Sequence, residues 1–596
     1  MSTNAHHAGP VPSRRNARSP RRRLFSRAGA RVLGLALALG GCGAVPGLLN
    51  EAHAQASETS DGRMHATYIG GRFHLTDTIT HRPLIQTPST QLWRAGDIVP
   101  DIQVLPKPGG ADIVYTFRNT TQVPKRLGVL CLPGIRFPGT VEHYRFRQDT
   151  YTDTLSNFAL AEAIYPNGTY SPIVSIQDDR HVLTASLLYP AVDYDHQVQY
   201  TLSGLARFPG DGGQHWGVEF NFQHTRFNVM LPPATTRTYT VAVRAVPRDQ
   251  NWLKTVVPYR DYFRSLYGPV DYVRDSRPVV GEAVSAAGVS TDQNPRGFLQ
   301  GSRMRPDLNG WGPWANKLRT YPNFGYNRVM VWAPSGCFRY SQLNFPYQFM
   351  TGMNSIPLMR STLPELASVA GPNMALGFWW GRCLHPMRGW DVGMEDWNLD
   401  VNNPQHIAMA FAEVDMAVAA GATMIGLDAF SPGTPGVGYN YLKRLKQRAP
   451  NVKFISENAA SDLYHNLAPT FHEAHGCLRP HVLADFLNPG HEIWASITRM
   501  LRPTTGTPTV AERQAEMRRV AELGFVPLIY GPTPVPSGLL AVESWRTTIP
   551  PELRTAPPMP EAPQAASATG GGTQQQSMSR QHSRPRQRVV VVPSNQ

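Results

Sequence analysis

The chain has 596 residues, enough for more than one domain at roughly 100–200 residues each, and its 41% hydrophobic and 10% aromatic content is that of a globular protein. The formal net charge of +14 does not describe a nucleic-acid-binding body: residues 1–56 carry eight Arg and one Glu, residues 555–596 four Arg and one Glu, and the stretch between is left near +4 with no basic stripe interleaved with aromatics. Five cysteines are too few for a disulfide scaffold.

Residues 1–56 read as an export leader. Arg14-Arg15 and Arg21-Arg22-Arg23 precede an apolar run, Val32 to Leu39, and small residues with Ala52-His53-Ala54 follow it. Arg22-Arg23-Leu24-Phe25 resembles a twin-arginine signal. The apolar run is too short to span a bilayer. Leu39-Gly40-Gly41-Cys42 resembles a bacterial lipoprotein cleavage box, which would leave a lipid anchor on Cys42. Both readings put the body outside the cytoplasm, periplasmic or extracellular, and no later segment reads as a membrane span.

Residues 64–250 are strand-rich. Ile113 to Asn119, Val182 to Tyr189, Gln197 to Leu202 and Thr238 to Val243 alternate β-branched and aromatic residues between Pro, Gly and Asn breaks. That pattern predicts an antiparallel β-sandwich, with Asp112 to Asn119 as an outer strand and Cys131 as a small core residue. No acid, His or metal cluster converges here, so the half reads as structural or as a carbohydrate-contacting module. Residues 251–296 read as a connecting segment, with a short helix at Tyr259 to Tyr267 and a small-residue linker from Gly281 to Asn294.

Residues 297–550 alternate strand and helix, which predicts a parallel sheet. Strands are expected at Gly297–Leu299, Arg328–Trp332, Met374–Trp380, Met424–Leu427, Val452–Ile455, His481–Ala484 and Phe525–Tyr530, with a weak eighth at Leu539–Val542. The helix Pro404–Ala420 has Pro in its first turn and Gly421 just past its end. Seven or eight such units favour a (β/α)8-type barrel, irregular in its last strand. No Gly-x-Gly-x-x-Gly follows a strand, so a dinucleotide-binding sheet is not indicated and no cofactor is called for. From Thr555 the chain is Pro, Ala, Gly, Gln and Ser, a composition that cannot bury enough apolar surface to fold.

Three acids end successive predicted strands: Asp428, Glu457 and Asp485, about one strand–helix unit apart. Barrel enzymes place their chemistry at the carboxyl ends of the strands. Paired carboxylates serve glycosidic bond cleavage, one attacking or stabilising an oxocarbenium-like centre and the other protonating the leaving oxygen. With these acids at strand ends behind a sandwich, the chain resembles glycoside hydrolases of the α-galactosidase and α-glucosidase superfamily. There an Asp after the fourth strand is the nucleophile and an Asp after the sixth the acid/base, which implies Asp428 and Asp485. The α-amylase family is the second resemblance; its acid is a Glu after the fifth strand, which implies Asp428 and Glu457. Both families favour a basic residue two before the nucleophile, and this chain has Gly426 there.

Trp332, Trp380 and Trp390 lie at or beyond predicted strand ends, where indole faces can stack on sugars. Arg382 and His385 are placed to hydrogen-bond substrate, and Glu492 is a reserve acid or substrate contact. His465, His472, Glu473 and His475 lack the His-Glu-x-x-His spacing, and no metal is expected. Cys337 and Cys383 each follow a predicted strand, which would allow a disulfide. The leading expectation is an exported glycosidase acting on an oligo- or polysaccharide. The alternative is a non-catalytic carbohydrate-binding or cell-envelope protein on the same scaffold.

Overall fold

The computed structural model describes most of residues 55–554. Residues 1–54 and 555–596 lie outside the described residues. So do 138–142, 146–151, 154–159, 207–213, 222–228, 284–303, 333–356, 381–398, 431–433, 458–460, 473–480, 498–507 and a few shorter gaps.

Two antiparallel sheets, of nine and seven strands, form the first half. Phe73, Leu75, Leu130 and Leu132 from one sheet share a core with Ile113, Tyr115, Leu183 and Val241 from the other, so the two sheets make a sandwich. Strand Gly110–Arg118 alternates buried and half-buried residues, the mark of a strand with one face in a core. It is not the outermost strand: Asp101–Lys107 takes that edge, where Pro106 removes a donor no neighbour needs. Cys131 is buried, and burial pushes its thiol up to about 12.

Eight parallel strands close the barrel: β1 Val279–Ala283, β2 Arg328–Trp332, β3 Ala375–Trp380, β4 Ala422–Leu427, β5 Lys453–Glu457, β6 Thr470–His472, β7 Ile493–Ser496 and β8 Val526–Tyr530. Closure is made by β1 against β8, with Val279 opposite Leu528. The described helices that bear on the site and the seam include α1 Val257–Tyr267, α2 Pro404–Ala419, α3 Pro435–Arg448, α4 Asp462–Leu467, α5 Val482–Leu487, α6 Val510–Glu522 and α7 Trp545–Thr548. Asn403 caps α2 by accepting from the Gln405 amide at 2.9 Å, and Gly421 follows it at φ 84°, where a side chain would be strained.

The strand identities correct the sequence reading at both ends. β1 falls in the stretch read as a connecting segment, because Val279-Val280 is a short apolar signal followed by Gly281. The expected first strand, 297–299, lies outside the described residues. His481–Ala484 is not the sixth strand. It opens α5, where the amides of Asp485 and Asn488 donate four residues back to His481 and Ala484 at 2.8 Å. A short apolar run reads the same in a strand and in one helical turn, and here the turn wins. The sixth strand is the three-residue β6, and β7 was not anticipated. The segment 525–530 is the eighth strand rather than the seventh. Leu539 and Ala541 are not in a strand; they pack against the barrel interior, and the Ala541 amide donates to Ser276 at 2.9 Å.

The sandwich and barrel share one seam. Tyr170 and Ile173 of the sandwich pack with Tyr259 and Phe263 of α1, Phe486 and Leu487 of α5 and Trp545 of α7. At its centre Asp462 is fully buried and accepts from the Tyr165 hydroxyl at 2.7 Å and the Tyr259 hydroxyl at 2.6 Å. Burial pushes its carboxyl up to about 7 against those hydrogen bonds.

Candidate active site at the barrel mouth

Strand alternation sorts the barrel interior into columns that run from floor to mouth. On β2 the inward column is Arg328, Met330 and Trp332; on β5 it is Lys453, Ile455 and Glu457. On β7 it is Trp494 and Ser496, with Glu492 just before the strand. Met330, Ile455 and Trp494 share the interior apolar cluster, which fixes the phase of each column. Met424 belongs to the same cluster, so Gly426 and then Asp428 continue the β4 column.

The floor is ionic. Glu492 is fully buried and accepts from Arg328 at 2.8 Å, from Lys453 at 2.7 Å, from the Trp494 indole at 2.6 Å and from the Asp275 amide at 3.0 Å. The Arg328 guanidinium also stacks over the Trp494 ring at 4.9 Å. Burial raises the Glu492 carboxyl, and the Lys453 and Arg328 charges outweigh it, holding the group down at about 2. Glu492 is therefore a floor anchor at the end opposite the strand termini, which corrects its reading as a rim contact.

Above the apolar layer lies an aromatic one. Trp332 and Trp379 have ring centroids 4.1 Å apart, and Phe471 lies 5.5 Å from Trp332 and 5.1 Å from Trp379. Tyr530 completes the group, 5.6 Å from Trp332. Two glycines make the room. A Cβ on Gly426 would stand 1.9 Å from the Trp379 ring, and one on Gly281 would stand 2.6 Å from the Trp332 indole nitrogen. Gly426, which stands where both families place a basic residue, is here the floor beneath an indole. Of the adjacent pair, Trp379 is the inward ring. Trp380 belongs to the cluster behind the sheet, facing the helices, and this corrects its reading as a substrate contact.

Asp428 and Glu457 top the two adjacent columns. Leu427 pairs with Ser456, so the acids are the next residues along two hydrogen-bonded strands. The Asp428 amide donates to the Trp380 carbonyl at 2.9 Å, which continues the strand pairing past β4. Its carboxylate is half-buried and accepts from the Trp379 indole at 3.5 Å, at the outer limit of a hydrogen bond. Glu457 is 7% exposed.

Asp485 does not join them. On α5 it is 2% exposed and accepts from Ser544 and Thr548 of the α7 segment, each at 2.7 Å. Its spacing from Glu457 spans β6 and two short helices, so the apparent periodicity of the three acids does not reflect three strand ends. Arg382, His385 and Trp390 lie outside the described residues, as do Cys337 and Cys383. Glu473 does too; it directly follows His472, the last residue of β6. Of the His group, His465 is buried with Nδ1 3.1 Å from the Tyr170 hydroxyl and Nε2 3.1 Å from the Glu492 carbonyl, and burial lowers its imidazole to about 3. Among the described residues no group of three or more His, Cys, Asp or Glu side chains is placed to hold a metal ion.

The chain is similar in layout to an α-galactosidase. The enzyme is that of Thermus thermophilus, seen with stachyose; it matches at 12% identity and a TM-score of 0.40 over 75% of this chain and 98% of that one. A β-arabinopyranosidase matches at 10% identity and 0.32 over 67% and 66%. The cyclic α-maltosyl-(1→6)-maltose hydrolase of Arthrobacter globiformis matches at 12% and 0.29 over 44% and 74%. No family model matches the sequence, and no curated protein matches it.

Ser496 was not picked out from sequence. The β7 column would have revealed it, since a Glu-x-Trp-x-Ser alternation repeats the charge, apolar, polar order of Lys453, Ile455 and Glu457. The signal is only five residues long and has no flanking strand text.

Proposed function

We propose that the chain is a glycoside hydrolase in which Asp428 is the nucleophile or charge stabiliser and Glu457 the proton donor. The observation that carries this is the pairing of the two acids on neighbouring inward columns at the carboxyl end of a closed barrel, directly above an aromatic layer. Attack on an anomeric carbon needs a carboxylate on one side of the glycosidic bond and an acid within reach of the leaving oxygen. Trp332 and Trp379 supply apolar faces for the sugar ring. The substrate class is an oligo- or polysaccharide, and no cofactor takes part in this mechanism.

Glu473 is the second acid to test. The galactosidase pattern puts the donor after the sixth strand, and with β6 at Thr470–His472 that position passes from Asp485 to Glu473.

The leader fits export with or without a lipid on Cys42. Among the described residues no helix is long and apolar enough to cross a membrane.

The test is a screen of aryl glycosides and polysaccharides with wild type, Asp428→Asn, Glu457→Gln and Glu473→Gln. Loss of turnover in Asp428→Asn with one Glu variant supports the pair. Equal turnover by wild type and Asp428→Asn removes Asp428 from the mechanism. Sugar binding by a wild type that turns over no probe favours a binding protein instead.

A further inference from the structure

Two polar atoms in the upper barrel have no hydrogen-bond partner although both are shut off from solvent: the Ser496 hydroxyl and the Trp332 indole N–H. Ser496 is 0% exposed and ends β7. Its column contains Trp494 two residues below, in the barrel interior, so its hydroxyl belongs to the inner face on the same rim as Asp428 and Glu457. Trp332 ends β2, and its indole nitrogen sits over Gly281, where any Cβ would collide with it.

A buried hydroxyl or N–H without a partner is costly, and native proteins keep few of them. The same column bonds its other polar groups fully: Glu492 at the floor has four donors, and the Trp494 indole donates to it. Arg328 Nε at the floor also lacks a hydrogen bond but lies 3.4 Å from the Asp275 carboxylate, so within these columns Ser496 and Trp332 are the ones left with neither hydrogen bond nor counter-ion. Their chemistry is complementary to a neutral polyol. An indole N–H can only donate, a serine hydroxyl can do either, and a sugar hydroxyl can answer both.

We propose that Ser496 is a specificity-determining contact that hydrogen-bonds a non-reacting hydroxyl of the bound sugar, with Trp332 donating to a second one. The proposal rests on the hydrolase reading for the identity of the ligand. The partners left open in the free protein are filled by the substrate, and a sugar lacking the matching hydroxyl leaves the serine unpaired.

The experiment uses Ser496→Ala in the full chain, the p-nitrophenyl glycoside that the wild type cleaves, and its monodeoxy analogues. Expected is a drop of about tenfold or more in kcat/KM for the parent sugar, with one deoxy analogue cleaved equally by wild type and variant. The thermal midpoint without sugar is expected to be unchanged or raised, because the substitution removes an unsatisfied hydroxyl. Trp332→Phe, which keeps a ring and removes the N–H, is expected to lose discrimination at a different hydroxyl. Equal sugar discrimination by wild type and Ser496→Ala would overturn the proposal, as would a lowered midpoint, which would mean that the hydroxyl is bonded within the fold. A wild type that cleaves no glycoside would remove the hydrolase reading; calorimetric binding of the same glycosides then decides the Ser496 assignment, weaker binding by Ser496→Ala supporting it and equal binding, or no binding by the wild type, overturning it.

Discussion

Arg328 donates to Glu492 at 2.8 Å at the barrel floor, with side-chain exposures of 1% and 0%. The pair begins two columns whose upper ends are Trp332 and Ser496, so the ionic floor and the polar rim are set by the same strand alternation. The Lys453 ammonium, also on Glu492, begins the column that ends at Glu457. Charge is therefore buried and paired at one end of the barrel, while the two acids proposed as catalytic stand at the other.

Breaking this floor should destabilise strongly. Glu492→Gln would leave two buried cations facing an amide, and removal of one member of such a pair costs about 3–5 kcal/mol. The wild-type carboxylate is held below its unfolded value of about 4.3. Its stabilisation is thus present above that value and is lost as pH falls through about 2. Urea unfolding of wild type and Glu492→Gln between neutral pH and pH 2 should show the gap narrowing with acid. A constant gap would show that the carboxylate charge is not what holds the floor.

The architecture was legible in the sequence because its signals are long. The sandwich follows from period-two text over nearly 200 residues. β2, β3, β4 and β5 each show an apolar run with a helix or turn nearby. β6 and β7 are three and four residues long, and their text is indistinguishable from a helical turn such as Val482–Leu487. The positions of Asp428 and Glu457 at strand ends were legible because those strands are well marked. Asp485 was misplaced because its apolar run folds as a helix, and Glu492 because it precedes a strand that had gone unseen. The choice between Trp379 and Trp380 depends on strand phase, which only the packing over Gly426 settles.

Asp462 should give the opposite pH trend at the seam. Its folded pKa is raised, so its contribution is full below the unfolded value near 3.9 and is lost as pH rises through about 7. The surrounding Tyr165, Tyr194, Tyr200, Tyr259 and Tyr267 are neutral, and burial pushes their hydroxyls up as well. Asp462→Asn should flatten the loss of stability between pH 4 and 7, at the cost of one tyrosine hydrogen bond worth about 1 kcal/mol. Chemical denaturation at pH 4, 5.5, 7 and 8 tests it; parallel profiles for the two proteins would refute it.

Glu413 offers a stabilising substitution. It lies 3% exposed on the barrel-facing side of α2, among Ile407, Ala410, Val414 and Ala417, and its Oε2 has no hydrogen-bond partner. Burial alone pushes the carboxyl up to about 8. The wild type therefore loses stability as pH rises from about 4.3 through about 8. Glu413→Met keeps the volume and removes the unpaired oxygen, so it should gain about 1–3 kcal/mol, most at alkaline pH. Thermal scans at pH 6 and 9 would show the midpoint difference growing with pH; a variant less stable at both would mean that the carboxyl is bonded.

The stereochemistry of the proposed reaction follows from which strands bear the acids. Adjacent strands lie about 4.8 Å apart, so carboxylates at the same level on β4 and β5 fall near the separation of about 5–5.5 Å that retaining enzymes use. Inverting enzymes hold theirs about 6.5–9.5 Å apart to admit a water between acid and base. With Asp428 and Glu457 as the pair, the first product formed should keep the anomeric configuration of the substrate, read by proton NMR before mutarotation. Glu457→Gln should lose far more activity on a sugar leaving group than on p-nitrophenolate, which departs without a proton. An inverted first product would remove this neighbouring pair and move the acid to a strand farther around the rim.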